Sequence, residues 1–241
     1  LSFPDAVTVL LGGKSGIGYL SAREEPAEQR KPFALPPAHT DMRRVYVYLL
    51  QIRCIDRDVL TEFARAGLIF ESAEPSADKT KIYHNAVFVG NDEHGVARHG
   101  HKRSIYTSGK SYRGNIESSD PRYSFHWVGK SDQLYVFEAP IDLLSYISLH
   151  QEDWRKHSYV SLCGTSEHAM LWMLEQYTQL GEIVLCLDND DAGVKAAERL
   201  TGFLAEHGYE NIRIDHSEEK DWNDELVRAC EAEEKMTMEM E

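Results

Sequence analysis

Three short acidic clusters stand in the second half of the chain, the first two directly after apolar runs. Glu138 and Asp142 follow LYVF, four residues apart. Asp188 and Asp190 follow IVLCL, with Asp191 adjacent, and Asp221 and Asp224 lie in KDWNDEL. Carboxylates four residues apart share one side of a helix that begins near Pro140. Hard oxygen donors of this kind suit Mg²⁺ or Mn²⁺, which keep several waters and are held by one or two carboxylates together with substrate phosphate. One or two such ions can clamp the attacking and leaving oxygens of a phosphoryl transfer. Nucleotidyl transfer and hydrolysis both fit. Each acid also has a simpler reading, since Asp142 or Asp190 alone would be an ordinary helix N-cap. Glu138 is harder to dismiss, because a carboxylate directly after an apolar strand is costly unless a cation pairs with it. The three clusters together carry the metal reading.

The elements that must position these acids are legible around them. Residues 134–137, 159–162, 183–187 and 211–214 are short apolar runs expected as buried strands, and 141–149, 167–177 and 192–207 as the helices between them. Such alternation predicts a parallel sheet with helices on both faces, whose ligands bind at the carboxyl ends of the strands. Glu138 and Asp188 then share one rim. Ahead of this α/β domain, residues 130–229, an α+β domain spans 41–129. It opens with a helix carrying Val45, Tyr48, Leu49 and Ile52 on one face, followed by a second helix over 58–66 that Gly67 stops. A β-hairpin follows, KIYHNAVFVG and HGVARHGH around the turn NDEHG. Residues 1–40, with Pro26, Pro32, Pro36 and Pro37, are expected as an arm or linker, and 230–241 as a frayed acidic tail. GGKS at 12–15 is no phosphate loop, because Thr8 occupies the position where that motif needs glycine.

The densest basic cluster is RHGHKR, which contains Arg98, His101, Lys102 and Arg103, with Lys110 and Arg113 soon after. Basic groups beside an acidic metal centre are what a phosphate backbone requires, although Lys and Arg also guard hairpin edges. Tyr123, Phe125 and Trp127 are of a type that stacks bases, and equally of a type that fills cores. The net charge of −14 would repel a polyanion if it were spread evenly; it is concentrated in the acidic clusters and the segment after Cys230. Four scattered cysteines, without a CxxC pair or a histidine at zinc-ligand spacing, predict a reduced, cytoplasmic chain without zinc. No apolar run is long enough to span a bilayer, and no signal peptide or membrane partner is expected.

At EAPID, SLCGTS, LDNDDAG and KDWND the chain resembles the Toprim domain, the module shared by DnaG-type primases, type IA and II topoisomerases, OLD-family nucleases and RecR-like proteins. The resemblance covers about residues 131–229 and implies a Rossmann-like parallel sheet with flanking helices, preceded by a smaller α+β domain. It implies that Glu138 is the general acid or base, with Asp142 in the same catalytic motif. It implies further that Asp188 and Asp190 bind Mg²⁺, that Asp221 and Asp224 are the counterpart of a further primase acidic pair, and that Gly164 and Gly193 are structural turn glycines. Two departures stand out: Ala139 replaces the usual glycine of the first motif, and the last motif has an extra residue between its aspartates. Residues 43–127 resemble a domain that precedes a primase-like Toprim in proteins of plasmids and conjugative elements. Relatives of that kind carry an upstream zinc module, and SFPDAVTVLLGG resembles the end of one. The implied function is a DnaG-like primase or nucleotidyltransferase of a mobile element, acting on single-stranded DNA or RNA with nucleotides and a helicase or relaxase as partner. The alternatives are a Toprim nuclease and a non-catalytic nucleic-acid-binding replication module. Topoisomerase and OLD-type activities are disfavoured, because the chain has no room for a tyrosine-bearing domain and no ATPase motif.

Overall fold

The structure, a computed structural model, describes residues 31–76, 78–106 and 112–240. All that follows concerns the unit Pro32–Glu241. The GGKS segment, Pro26 and Lys110 lie outside the described residues.

Helix α1, Arg43–Val47, continues as a π-helical turn over Tyr48–Ile52. Helix α2, Arg57–Arg65, starts on Asp56, whose carboxylate accepts from the amides of Asp58 at 2.8 Å and Val59 at 3.0 Å, a cap that satisfies two otherwise orphan donors. Gly67, at φ +73°, ends the turn after α2. Four antiparallel strands follow in spatial order: β1 (Ile69–Pro75), β2 (Ile82–Asn91), β3 (Ala97–Ser104) and β4 (Arg113–Asn115). The expected hairpin is β2–β3. Strand β1, IFESAEP, was not anticipated; its buried Glu71 and Ser72 interrupt the apolar alternation that marks a strand.

The second sheet has the order β5–β7–β6–β8–β9, comprising β5 (His126–Trp127), β6 (Gln133–Phe137), β7 (Ser158–Ser161), β8 (Glu182–Leu185) and β9 (Asn211–Ile214). All neighbours are parallel except β5, which lies antiparallel on β7. Helices α3 (Pro140–Leu149), α4 (His168–Gln176) and α5 (Asp191–Glu206) are the crossovers, and α6 (Trp222–Met240) follows β9. The residues after Cys230, expected to fray, continue α6. The central strands β6 and β8 read as apolar runs because both faces are covered; β9, expected to be buried, is a largely exposed edge strand, paired on one side only. Tyr135 and Phe137 pack into one core with α3, Trp222 and Leu226; Leu134 and Val136 pack into the other with α4 and α5.

The first core also takes in Leu49, Val59, Leu60, Phe63 and Phe88, so the helices and antiparallel sheet that come first pack against the parallel sheet. Phe125 belongs there too, 5.4 Å between ring centres from Phe63, and Trp127 lies 5.1 Å from Phe63 and 5.1 Å from Trp154. Each fully buried aromatic of this kind contributes roughly 1.5–3 kcal/mol. Phe125 and Trp127 serve packing rather than base stacking. Strand β6 is the point where the connections diverge, to β7 on one side and β8 on the other. An open parallel sheet leaves its ligand crevice at the carboxyl ends there.

Candidate active site

The carboxyl ends of β6 and β8 open into a cleft of about 520 Å³ lined by Glu138, Asp142, Asp188, Asp190 and Asp221. Glu138 follows β6, where its carbonyl accepts the Gly164 amide at 3.1 Å. Gly164 sits at φ +146°, a conformation that favours glycine. Ala139 caps α3 with an extended backbone, φ −129° and ψ 155°, a conformation that alanine adopts without strain. Pro140 opens α3, placing Asp142 in its first turn at 6% exposure. Asp190 caps α5, its Oδ1 accepting from the amides of Ala192 and Gly193 at 3.0 Å each, while Oδ2 lies 3.8 Å from Lys220 Nζ. Gly193 is demanded by space: a Cβ there would stand 2.0 Å from the carbonyl oxygen of Asp188. The 188–190 loop is tied to the third acidic loop, with the Asn189 amide donating to the Lys220 carbonyl at 2.7 Å and Asn189 Nδ2 to the Ser217 carbonyl at 3.1 Å. Asp221 lines the cleft and accepts the Asp224 amide at 2.8 Å; Asp224 is exposed and does not line it.

Burial and crowding set the electrostatics. Burial, reinforced by Asp188 and Asp190, pushes Glu138 up to about 7. Burial, with Asp221 and Asp190, pushes Asp188 up to about 6. Asp142 is raised well above the carboxylate range, chiefly by burial and then by Asp221 and Asp188. Asp224 is raised by burial and Asp221, whereas the Gly193 amide leads the groups that hold Asp190 low. Glu138 Oε1 and Asp188 Oδ1 are buried and have no hydrogen-bond partner. Orphaned buried oxygens are expensive in a folded protein, and Asp188 Oδ1, in one cleft with Asp190 and Asp221, is the kind of oxygen donor a hard divalent cation takes. The residues fit Mg²⁺ or Mn²⁺.

Basic side chains line the same cleft. His101, Arg103 and Arg113 do so from β3 and β4 with Asn115, Arg53 from the turn after α1, and Lys220 from the acidic loop beside Asp190. Arg103 and Arg113 face each other directly across β3 and β4. Like charges in that position repel unless an anion lies between or above them, and Arg103 Nε is buried without a partner. The strand divides the expected basic cluster: Lys102 turns to the other face, where it pairs with Glu74 at 3.0 Å, and Arg98 pairs with Asp92 at 2.8 Å. Neither lines the cleft.

Sequence reasoning missed Asn223, Arg53 and Lys220. Asn223, 3% exposed, donates from Nδ2 to the Arg53 carbonyl and to Ser145 Oγ, each at 2.9 Å, and accepts from Arg53 Nη1 at 2.9 Å. A signal was present: an asparagine between two aspartates in KDWNDEL, at a helix start where buried polar groups must be satisfied.

A parallel sheet with acids at its switch point and basic side chains in the same cleft defines the Toprim-like class. Residues 135–226 match the Toprim-like family, and residues 47–131 match a protein family of unknown function, DUF3991. An uncharacterized protein of Bacillus anthracis is 30% identical over 258 residues, covering 97% of this chain and 71% of that protein. The chain belongs to the family in which a DUF3991 segment precedes a Toprim-like domain. Among solved structures, it is similar to the primase fragment of the bacteriophage T7 primase-helicase protein, with TM-score 0.57 and 19% identity over 75% of this chain and 69% of that one. It is also similar to the Escherichia coli primase catalytic core, with TM-score 0.52 and 16% identity over 78% of this chain and 69% of that one. The fold is that of primase cores. Among the described residues, no helix is long and apolar enough to cross a membrane.

Proposed function

We propose that this protein is a DnaG-like primase or closely related nucleotidyltransferase of a plasmid or conjugative element, working with Mg²⁺ or Mn²⁺ on single-stranded DNA. The observation that carries the reading is one cleft lined by both the carboxylates and the unpaired Arg103–Arg113 pair. Asp188, Asp190 and Asp221 would hold the metal, with Asp190 offering only Oδ2 because Oδ1 is engaged as a cap. The ion, when bound, supplies charge neutralisation for nucleotide phosphates and the developing pentacoordinate phosphorus. Glu138 takes the proton of the attacking 3′-hydroxyl at its Oε1, and a value near 7 suits a group that must exchange protons at neutral pH. Asp142 is the neighbouring acid of the same motif. His101, Arg103 and Arg113 bind template or nucleotide phosphates. Asp224 is left out of the ligand set because it faces solvent. A helicase or relaxase is the proposed partner; the T7 relative is itself a primase-helicase protein.

The test is incubation of the protein with Mg²⁺ or Mn²⁺, single-stranded DNA and labelled nucleotides, with Glu138→Gln in parallel. Labelled products that depend on Glu138 support the proposal. Shortened DNA that depends on Glu138 would replace it with a nuclease, in which the same carboxylates position water. No product in either lane, with DNA still bound, would leave a non-catalytic replication module.

A further inference from the structure

Among the described residues, one triplet of His, Cys, Asp or Glu side chains brings its ligand atoms within 4.8 Å of one another: His39, Glu71 and His84. Glu71 on β1 has a side chain with 0% exposure, an unusual place for a carboxylate. Its Oε2 accepts the Val45 amide in the first turn of α1 at 3.3 Å. Its Oε1 is left facing the histidines, with His84 Nδ1 at 2.7 Å and His39 Nδ1 at 3.8 Å. The rings of His39 and His84 stand edge to face, 5.1 Å between centres.

The backbone holds all three in place. Glu71 lies opposite Ala86 in the β1–β2 ladder, and His84 opposite Ala73, so the two side chains are diagonal neighbours on one sheet face. On the other side of β1, Ala38 bridges Ser72, and the His39 amide donates to the Glu71 carbonyl at 2.7 Å. Three adjacent extended segments thus present two imidazoles and one carboxylate oxygen. We propose that His39, Glu71 and His84 bind a borderline divalent transition metal of the Zn²⁺ class, as a clip between the segment at residues 38–39 and the antiparallel sheet.

Metal–nitrogen and metal–oxygen bonds of about 2.0–2.2 Å put tetrahedral ligand atoms about 3.4 Å apart, a value that the distances of 2.7 and 3.8 Å bracket. Binding needs a small opening of the His84–Glu71 contact and displaces the proton that the two share. Imidazole donors select Zn²⁺-class ions over Mg²⁺, and three protein ligands leave a fourth position for water. Arg44 Nη1, 3.4 Å from Glu71 Oε1, is the competing cation; its side chain is 53% exposed and free to swing outward. The Asp41 carboxylate, 3.8 Å from His39 Nδ1, is already paired with Arg43 at 2.9 Å; the Asp41 backbone lies nearer the same ring nitrogen, its carbonyl at 3.1 Å and its amide at 3.3 Å, and a metal at Nδ1 displaces these contacts. The site is separate from the acidic cleft. Glu71 and Arg113 end a row that runs through Ala86 and Arg103, three strand spacings or about 14 Å apart. The cysteine spacing that argues against zinc does not bear on this His–Glu–His set, whose members come from three separate extended segments.

The experiment strips the protein with a chelator and titrates it with Zn²⁺ or Co²⁺ alone, following heat, visible Co²⁺ absorption and melting temperature. Wild type is compared with His39→Gln, His84→Gln and the cleft variant Asp188→Asn. One equivalent with a tetrahedral Co²⁺ spectrum is expected in wild type and in Asp188→Asn. Removing a histidine should weaken binding by more than the roughly 10- to 100-fold contributed by outer partners. His39, at the rim, keeps the test valid should His84→Gln fail to fold. Absence of binding, unchanged affinity in His39→Gln, or loss in Asp188→Asn would each overturn the proposal.

Discussion

Asn223 and Arg53, 170 residues apart in the sequence, grip each other twice: the Arg53 guanidinium donates to Asn223 Oδ1 at 2.9 Å, and Asn223 Nδ2 donates to the Arg53 carbonyl at 2.9 Å. A third bond, to Ser145 Oγ at 2.9 Å, reaches α3. The third acidic loop is thereby locked to the helix that carries Asp142 and to the π-helical turn after α1. Asn223→Ala leaves a buried carbonyl and hydroxyl without their donor, each worth about 1–3 kcal/mol when orphaned. Chemical denaturation should show a loss of about 3 kcal/mol, together with weaker Mg²⁺ binding because Asp221 is two residues away. A loss below about 1 kcal/mol would mean that water replaces these bonds.

The raised carboxylates imply a pH dependence with a definite sign. Glu138 and Asp188 have folded-state values of about 7 and about 6, above the ordinary values near 4 that an unfolded chain shows. Between those limits the folded chain binds more protons than the unfolded one, so this contribution to stability falls as pH rises from about 4 to 7. His99, pushed down to about 4 by burial, acts in the opposite direction. The informative quantity is therefore the difference between wild type and Glu138→Gln, which keeps the shape of the protonated acid. In chelator, Glu138→Gln should melt higher than wild type near pH 7.5 and match it near pH 5 (both about). Mg²⁺ at about 100 times its Kd should restore about 2.7 kcal/mol to wild type. Equal melting curves at both pH values would remove the proposed repulsion.

Gly193 sets two effects against each other. Alanine in a helix is worth about 1 kcal/mol over glycine, yet a Cβ here would stand 2.0 Å from the Asp188 oxygen and 2.8 Å from its carbonyl carbon. Backbone contacts that short require the 188–190 loop to move, at a cost of about 1–3 kcal/mol. Overlap should win. Gly193→Ala is expected to lower both stability and Mg²⁺ affinity, as read by thermal melts with and without the ion; a more stable variant with unchanged affinity would show that the loop gives way freely.

The α/β half was legible because its signals are strong and local. Strands β6 and β8 and the helices around them are marked by apolar runs; Glu138 directly follows β6, and the apolar run of β8 continues through Cys186 and Leu187 to Asp188. What escaped was set by tertiary structure. The polar strand β1 is held by its partner β2 and shows little apolar pattern of its own. Strand β5 is two residues long and exists only as an edge on β7. Asn223 gains its meaning from Arg53, which no local window contains. The basic run 98–103 was visible, but its division between two sheet faces depends on β3 being a strand, where successive side chains alternate.

That alternation supplies the sharpest test of the basic wall. Arg103 and Arg113 line the cleft side by side, whereas Lys102, between them in neither space nor role, is paired with Glu74 at 3.0 Å on the opposite face. If the cleft binds single-stranded nucleic acid, each arginine that neutralises a phosphate contributes about 0.7 to the slope of log affinity against log salt. Arg103→Ala with Arg113→Ala should lower that slope by about 1.4 and weaken binding at low salt, while Lys102→Ala leaves both near wild type. Fluorescence anisotropy with labelled single-stranded DNA across a salt series measures the slope directly. An unchanged slope in the double variant, or an equal loss in Lys102→Ala, would move the nucleic acid away from this wall and break the link between the basic strands and the acidic cleft.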